Sequence, residues 1–248
     1  MKVPAQKDSL TVLYNHSCLK ERLEVEVERP AGTNSPLPFM LLDPDNFQWL
    51  EAGLRRDGEL INTIKVLLSM INVRHRYTYS HSEKVMEYAG LVVERLGLSK
   101  NECRELKLAA FLHDLGKIGI SREILDKKGP LTEKEWDVIK RHPVIGADIV
   151  VEYRALHRLI PCILYHHERF DGTGYPEGLS GEAIPLGARI IAVADSFNAM
   201  TTDRPYKKGI SFEEAVIELK RCAGSRFDPQ IVNIFIGEIT RYYSKNIV

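Results

Sequence analysis

From Gly58 to the C terminus, apolar residues recur at the three- and four-residue spacing of an amphipathic helix. Helix start and stop signals divide this stretch: Gly97 ends one segment, Ser99 caps the next, and Thr132 with Glu135 forms a capping box. The pattern predicts a mainly α fold, a bundle of helices. The predicted helices cover residues 58–72, 80–96, 100–116, 132–151, 155–167, 189–200, 212–222 and 229 onward.

The segment before residue 60 has a different composition. Five prolines interrupt it, residues 18–28 have apolar residues at helical spacing, and residues 36–43 (PLPFMLLD) form a short apolar run suited to a buried strand. One strand cannot form a sheet alone, so this part is short for an independent α/β domain. We therefore expect a small α/β segment over residues 1–60 and a helical domain over residues 61–248.

Charge and cysteine content narrow the function classes. The 248 residues carry 34 basic and 34 acidic side chains, so attraction of the whole surface to DNA or to an anionic membrane is not expected. The sequence begins without the apolar core of a signal peptide and contains no apolar run of about 20 residues. Its four scattered cysteines indicate reduced thiols. We expect a cytoplasmic protein with no membrane partner.

Histidines and aspartates are concentrated where the predicted helices end. The pair His113-Asp114 closes an apolar helix, the pair His166-His167 precedes a loop rich in Gly and Pro at residues 169–187, and Asp195 follows an apolar run. Helical spacing can also bring His81 and His142 to these pairs. Neutral imidazoles and carboxylates are the ligands of transition metals, and a structural zinc site would normally use thiolates.

Each of these signals taken alone has an ordinary structural explanation, because a histidine on an apolar helix is more often a hydrogen-bonded core or surface residue than a ligand. Three histidines are interpreted in that way. His16 lies outside the helical domain, whereas His75 and His157 lie in strongly basic surroundings typical of solvated surface.

The combination of motifs resembles a known family, the HD-GYP subgroup of the HD superfamily, over roughly residues 73–240. No single motif would suffice, but their joint specificity is high. The matching stretches, in the order of the family, are YTYSHSEKV (77–85), HDLGKIGI (113–120), HPVIGADIV (142–150), YHHERFDGTGYP (165–176), RIIAVADSFNAMTTDRPY (189–206) and RFDP (226–229).

The resemblance implies a site in an HD-superfamily helical bundle that holds two divalent transition metals, iron or manganese. Asp114 would bridge the metals, and Lys117 would contact the scissile phosphate. Arg204, Lys207 and the loop tripeptide would bind the substrate. By matched position, the implied ligands are His81, His113, Asp114, His142, His166, His167 and Asp195, and the tripeptide is Gly174, Tyr175 and Pro176.

Three positions depart from the family pattern. Trinuclear members carry a glutamate four residues before the first histidine, where this chain has Tyr77, so we expect two metals and not three. Asn198 stands three residues after the last metal aspartate, where aspartate is common, and His75 stands where aspartate is usual. These two departures lie outside the implied ligand set. They bear on the rate of substrate turnover or on the tuning of the metals, and less on metal binding.

The N-terminal part has a second resemblance, to the opening half of a GGDEF diguanylate cyclase domain. DSLTVLYNHSCLKERLEVEVE followed by LLDPDNFQWL matches that half, with Asp43 at the first metal position, but the GGDEF signature is missing. Synthesis of cyclic di-GMP by this chain is therefore not expected. The alternative is an unrelated short α/β cap.

The family resemblance implies hydrolysis of cyclic di-GMP to linear pGpG, with GMP as a further product, through a hydroxide that bridges the two metals. Two alternatives remain open: a slow or silent cyclic-dinucleotide receptor that binds protein partners, and a phosphohydrolase of other nucleotides. The GYP loop implies a GGDEF-domain protein as partner. The apolar face of residues 58–72 can pack within the chain or against a second copy, forming a homodimer.

Overall fold

The computed structural model describes residues 76–203 and 208–246. The expected α/β segment, the GGDEF-like stretch, the boundary at residue 60, the helix over residues 58–72, His16, His75, Arg204 and Lys207 lie outside the described residues. Within them the fold is mainly α, as predicted, and only two isolated β-bridges join extended residues. None of the described helices has the length and apolar character needed to cross a membrane.

Nine α-helices and three 3₁₀ helices make up the described part of the chain. The α-helices are α1 (Arg76–Arg95), α2 (Lys100–Leu112), α3 (Arg122–Leu125), α4 (Glu133–Ile139), α5 (His142–Val151), α6 (Ile160–Tyr165), α7 (Leu186–Thr201), α8 (Phe212–Arg221) and α9 (Pro229–Asn246). The 3₁₀ helices cover Leu115–Gly119, Arg154–Leu159 and Gly181–Ala183.

The predicted helix starts are confirmed where the capping residues set them. Ser99, Thr132 and Ser211 each accept a hydrogen bond from the backbone N–H three residues later, and the carboxylate of the glutamate there accepts one from the backbone N–H of the cap residue. Such caps are worth about 1 kcal/mol each, since they satisfy N–H groups that the helix leaves free.

Three predicted helices are wrong in their length: the one expected over residues 100–116 ends at Leu112, and proline explains the other two. The single helix expected over residues 132–151 is two helices, α4 and α5, with Pro143 in the first turn of α5. The helix expected over 155–167 is a 3₁₀ helix followed by α6, with Pro161 in its first turn. Proline has no N–H to donate and is tolerated only at a helix start, so each proline opens a new helix.

The core lies between α1, α2, α7 and α9, which pack against one another along their apolar faces. Its centre is aromatic: the ring of Phe197 lies 5.5 Å from that of Tyr88 and 5.2 Å from that of Phe235, in edge-to-face arrangements. Such pairs add about 0.5–1.5 kcal/mol each beyond the burial of their area. The core thereby fixes α1 and α7, which carry His81 and Asp195.

Candidate metal centre

His113 and Asp114 leave their helix at its last turn. α2 ends at Leu112, and Asp114 has φ −94° and ψ 7°, so its side chain is not constrained to the 100° step of a regular helix. Nε2 of His113 lies 3.4 Å from Oδ2 of Asp114, so the two side chains reach the same point.

Gly116 brings this turn against α5. A Cβ atom at this position would overlap the carbonyl oxygen of His142 and the backbone nitrogen of Gly146. Only glycine allows the two backbones to approach so closely. The approach places His142, the first residue of α5, beside Asp114.

The two carboxylate oxygens of Asp114 face different histidines. Oδ1 lies 3.3 Å from Nε2 of His142, whereas Oδ2 lies 3.8 Å from Nε2 of His81 and 3.4 Å from Nε2 of His113. Two groups of ligand atoms within 4.8 Å of one another therefore share this aspartate. The first group is Asp114, His142, His166 and His167, and the second is His81, His113 and Asp114.

Three of the histidines have a fixed orientation. Nδ1 of His113, His142 and His166 each lies within 2.7 Å of the backbone carbonyl oxygen three residues earlier. A carbonyl can only accept, so Nδ1 carries the proton and Nε2 presents a lone pair to the cluster. Metal-binding histidines in proteins are held in this way.

The facing Nε2 atoms need a cation. Nε2 of His142 and Nε2 of His166 lie 3.3 Å apart, and neither carries a proton when both Nδ1 atoms do. Nε2 of His113 is buried and has no hydrogen-bond partner among the described residues. Buried lone pairs directed at one another are costly unless a cation lies between them, so this donor set fits a divalent metal.

His81 and Asp195 complete the cluster from α1 and α7. Nε2 of His81 lies 3.1 Å from Oδ1 of Asp195, and the side chains of both are mostly buried. The structure thus brings together all seven side chains for which the sequence predicted metal binding. The exposed His157 lies away from them, in agreement with its interpretation as a surface residue.

Burial and charge keep most of these imidazoles neutral. Burial lowers the pKa of His142 to about 4 and that of His167 to about 3, and burial together with neighbouring histidines holds the pKa of His166 well below its usual value. Neutral imidazole is the form that binds metals. Burial acts in the same direction on His113, but the Asp114 carboxylate outweighs it and the pKa of His113 is raised.

Lys117 contributes the positive charge of the site. Its Nζ lies 2.6 Å from Oδ2 of Asp114, and its side chain is 30% exposed, so the ammonium group also faces solvent. Although burial of Asp114 opposes ionisation, Lys117 and His113 hold the pKa of its carboxyl well below the usual range. Asp114 is therefore an anion at neutral pH.

The loop after His167 closes over one side of the cluster. The ring of Tyr175 stacks on that of His167, with centroids 4.9 Å apart, and its backbone N–H donates to the carbonyl of His167. Burial, with Asp114 and Asp195 nearby, raises the pKa of the Tyr175 phenol, so it remains a hydrogen-bond donor. Pro176 follows through a cis peptide bond.

Two residues outside the predicted set hold this site together. Glu168 is buried, and its Oε1 accepts from the backbone N–H groups of Glu177 and Gly178 at 2.7 and 3.0 Å. The side-chain amide of Asn198 lies 2.6 Å from Nδ1 of His81. A carboxylate directly after His-His, at the start of a loop, was the available signal for Glu168, whereas the contact of Asn198 crosses between helices distant in sequence.

The sequence of this chain is similar to known proteins over most of the described part. The family description "HD domain" matches residues 65–231. The cyclic di-GMP phosphodiesterase response regulator RpfG of Xanthomonas campestris pv. campestris is 45% identical over 176 residues, which are 70% of this chain and 47% of that protein. The 3'3'-cGAMP-specific phosphodiesterase 3 of Vibrio cholerae is 36% identical over 161 residues, which are 65% of this chain and 35% of that protein.

A solved structure has the same fold. Bd1817, a HDG"Y"P protein from Bdellovibrio bacteriovorus, superposes with a TM-score of 0.57 at 20% identity, covering 79% of this chain and 63% of that one. At this identity the likeness concerns the fold alone. The chain spans less than half the length of the two sequence relatives named above.

Proposed function

The chain belongs to the HD domain family, and from this premise we propose that it is a metal-dependent phosphodiesterase that hydrolyses cyclic di-GMP. The observation that carries the proposal is the position of Asp114, whose two oxygens face two groups of histidines while Lys117 lies 2.6 Å away. Similarity to a cyclic di-GMP phosphodiesterase at 45% identity supports the substrate.

We propose two divalent metals in this site, with iron or manganese as their identity. Two ligand groups that share one carboxylate support the number. Six of the seven proposed ligands belong to these groups, and the seventh, Asp195, lies 3.1 Å from His81. Histidine-rich ligation suits iron, manganese, zinc and nickel alike, so the preference for iron or manganese rests on the family resemblance.

The chemistry divides between the metals and the side chains of the chain. Bound divalent metals supply a Lewis acid that polarises a phosphoryl oxygen and makes water acidic enough to act near neutral pH. The Lys117 ammonium neutralises charge that grows on the phosphoryl oxygens, and the Tyr175 phenol, held as a donor beside His167, hydrogen-bonds to the same group. The anionic Asp114 would bind the metals.

Substrate binding would use the loop and two basic residues. Tyr175, which stacks on His167, would form one wall for the substrate together with its neighbours Gly174 and Pro176. Arg204 and Lys207 would hold the phosphates or guanine bases of this dianionic nucleotide. Opening of one phosphodiester bond gives linear pGpG, and a second hydrolysis gives GMP.

One observation favours a second candidate, a slow or silent receptor for cyclic dinucleotides. Asn198, which contacts His81, is neutral, whereas aspartate is common at this position in the family that the sequence resembles. A receptor would bind such a nucleotide and leave it intact.

Turnover and metal content measured together distinguish these functions. The protein is purified without oxygen, analysed for its metals, and incubated with cyclic di-GMP in its iron and manganese forms. The proposal expects pGpG or GMP. Intact nucleotide after long incubation of both forms, together with tight binding, would leave the receptor as the function.

Asp114→Ala is the matching test of the site, with the exposed Asp148→Ala on α5 as control. Loss of the shared carboxylate should remove the metals from both ligand groups and abolish turnover, whereas the control should keep its metals and its activity. Metal content and activity that survive Asp114→Ala would contradict the assignment.

For the remaining parts of the chain we propose a truncated GGDEF-like segment over residues 1–60, a phosphodiesterase domain over 61–248, and a cytoplasmic location. The GYP loop would contact a GGDEF-domain protein, and residues 58–72 would contribute to a homodimer. Light scattering of the full chain tests the dimer. Co-purification with a GGDEF-domain protein, compared between the wild type and Pro176→Ala, tests the partner.

A further inference from the structure

The carboxylate of Glu168 connects the metal ligands to the loop that covers them. It directly follows the ligand pair His166-His167, is only 3% exposed, and its Oε1 accepts from the amides of Glu177 and Gly178 on the far side of the loop. We infer that Glu168 is a positioning residue that holds Tyr175 and its neighbours in place for the nucleotide. This inference rests on the proposed function.

The path of the loop keeps it close to Glu168. A Cβ atom on Gly174 would overlap the backbone of Glu168 and Arg169, so the loop folds directly back onto the Glu168 backbone. The N–H of Tyr175 donates to the carbonyl of His167. Glu168 therefore ties down the segment on one side of Tyr175 while His167 ties down the residue itself.

The second oxygen of Glu168 is buried as well. Oε2 has no hydrogen-bond partner among the described residues. A buried carboxylate with one oxygen unsatisfied is costly, and such groups in native proteins call for a functional explanation. Accepting from two successive amides is a task that a carboxylate performs strongly, because both bonds are charge-assisted.

The stacking of Tyr175 on His167 links the position of the loop to the binding of the substrate. When the two amide bonds are lost, the segment over residues 174–178 is free to move away from the ligand His167, and the wall against which a large cyclic dinucleotide rests shifts with it. Misplacement of about 1 Å at a site costs up to roughly 100-fold in rate. A small diester such as bis(p-nitrophenyl) phosphate needs the metals but not this wall.

Three variants of the full, metal-loaded chain test the inference. Glu168→Ala removes the oxygen that accepts from both amides, and Glu168→Gln keeps one carbonyl oxygen at nearly the same volume. Glu177→Ala is the control, since its backbone N–H still donates to Glu168 and only its side chain, which accepts from Tyr165, is lost. The readouts are amide hydrogen exchange at Glu177 and Gly178, metal content, and steady-state kinetics on cyclic di-GMP and bis(p-nitrophenyl) phosphate.

We expect Glu168→Ala to speed exchange at the two amides and to raise KM for cyclic di-GMP roughly 10- to 100-fold. Metal content and turnover of the small diester should stay within about twofold of wild type, because the cluster itself is unchanged. Glu168→Gln should lie between Glu168→Ala and wild type, because its neutral carbonyl oxygen still accepts but the bonds are no longer charge-assisted. Glu177→Ala should match wild type.

Unchanged exchange and unchanged KM in Glu168→Ala would overturn the inference, as would a parallel loss of metals and of turnover on both substrates, which marks a purely structural role. The exchange measurement needs no turnover. A wild type that leaves cyclic di-GMP intact while Glu168→Ala loses amide protection would overturn the proposed function and retain the positioning of the loop.

Discussion

The side-chain amide of Asn198 on α7 lies 2.6 Å from Nδ1 of His81 on α1, and its Oδ1 accepts from the hydroxyl of Thr202 at 3.1 Å. A histidine that binds a metal through Nε2 must carry its proton on Nδ1. The group that contacts Nδ1 must then accept a hydrogen bond from it. Asn198 meets this demand when its amide is turned so that Oδ1 faces His81 and Nδ2 faces Thr202, whose oxygen also accepts.

Asn198 therefore supports metal binding by His81 less strongly than a carboxylate would, because a neutral amide raises the basicity of the imidazole less. We predict that Asn198→Asp tightens metal binding in the group formed by His81, His113 and Asp114, and that Asn198→Leu weakens it by about 10- to 100-fold. Competition titration with a chelator, with metals counted by elemental analysis, measures both effects.

The matched control is Asn101→Asp, on the exposed surface of α2, which should leave the titration unchanged. Identical metal affinity in the wild type, Asn198→Asp and Asn198→Leu would show that the contact with His81 has no part in metal binding.

Lys117 should act on the reaction and not on the metals. Its ammonium is the positive charge nearest to Asp114 and is not a ligand, so Lys117→Gln should lower kcat by about 100-fold while the metal content stays that of wild type. Lys140→Gln, at the exposed residue that directly follows α4, serves as control. Loss of metals in Lys117→Gln, or a kcat equal to wild type, would contradict this role.

The helices and the members of the site were predictable from different kinds of information. Ser99, Thr132 and Ser211 mark helix starts because capping is local chemistry, readable within four residues. Pro143 and Pro161 carried equally local information, and the two wrong helix lengths that they explain came from giving apolar periodicity more weight than these prolines.

The site itself depends on contacts between helices distant in sequence. Histidines and aspartates at helix ends indicated which groups would meet, yet the separate directions of the two Asp114 oxygens follow from how α1, α2 and α5 pack. The role of Asn198 was not predictable from spacing, since it acts through His81 on another helix, and the contacts of Glu168 depend on how its own loop folds back. Fold class therefore follows from periodicity, whereas the geometry of the site requires the tertiary structure.

Gly116 sets the distance between the His113-Asp114 turn and α5. Gly116→Ala would force a methyl group against the carbonyl of His142, a backbone atom that cannot turn aside, so we expect a loss of about 2–4 kcal/mol in the free energy of unfolding and a lower metal content. Denaturant unfolding and elemental analysis measure the two effects.

Gly237→Ala is the control for that change, because nothing lies within 4 Å of its Cβ position on the exposed face of α9. It should raise the free energy of unfolding by about 0.5–1 kcal/mol through helix propensity. A Gly116→Ala protein as stable as wild type would mean that the close approach to α5 is not required.

The metal-free protein should lose stability as the pH falls, because its buried histidines resist protonation. Burial lowers the pKa of His142 to about 4, whereas histidine in the unfolded chain titrates near about 6.5. Between these values the unfolded state binds the extra proton, so the stability that His142 provides is fully present above about pH 6.5 and is lost as the pH falls towards 4. The raised pKa of His113 changes stability with pH in the opposite direction. The test therefore compares variants with the wild type, because the pH dependence of the wild type alone combines both effects.

The free energy of unfolding of chelator-treated protein, measured by denaturant titration at about pH 7.5 and about pH 5, tests this sign. His142→Gln should be less sensitive to the change of pH than the wild type, by about 1–3 kcal/mol, because glutamine does not titrate. His157→Gln, at an exposed position, should behave as wild type. If His142→Gln loses as much stability as the wild type between the two pH values, the acid sensitivity comes from other groups and His142 is not held neutral by its burial beside Asp114.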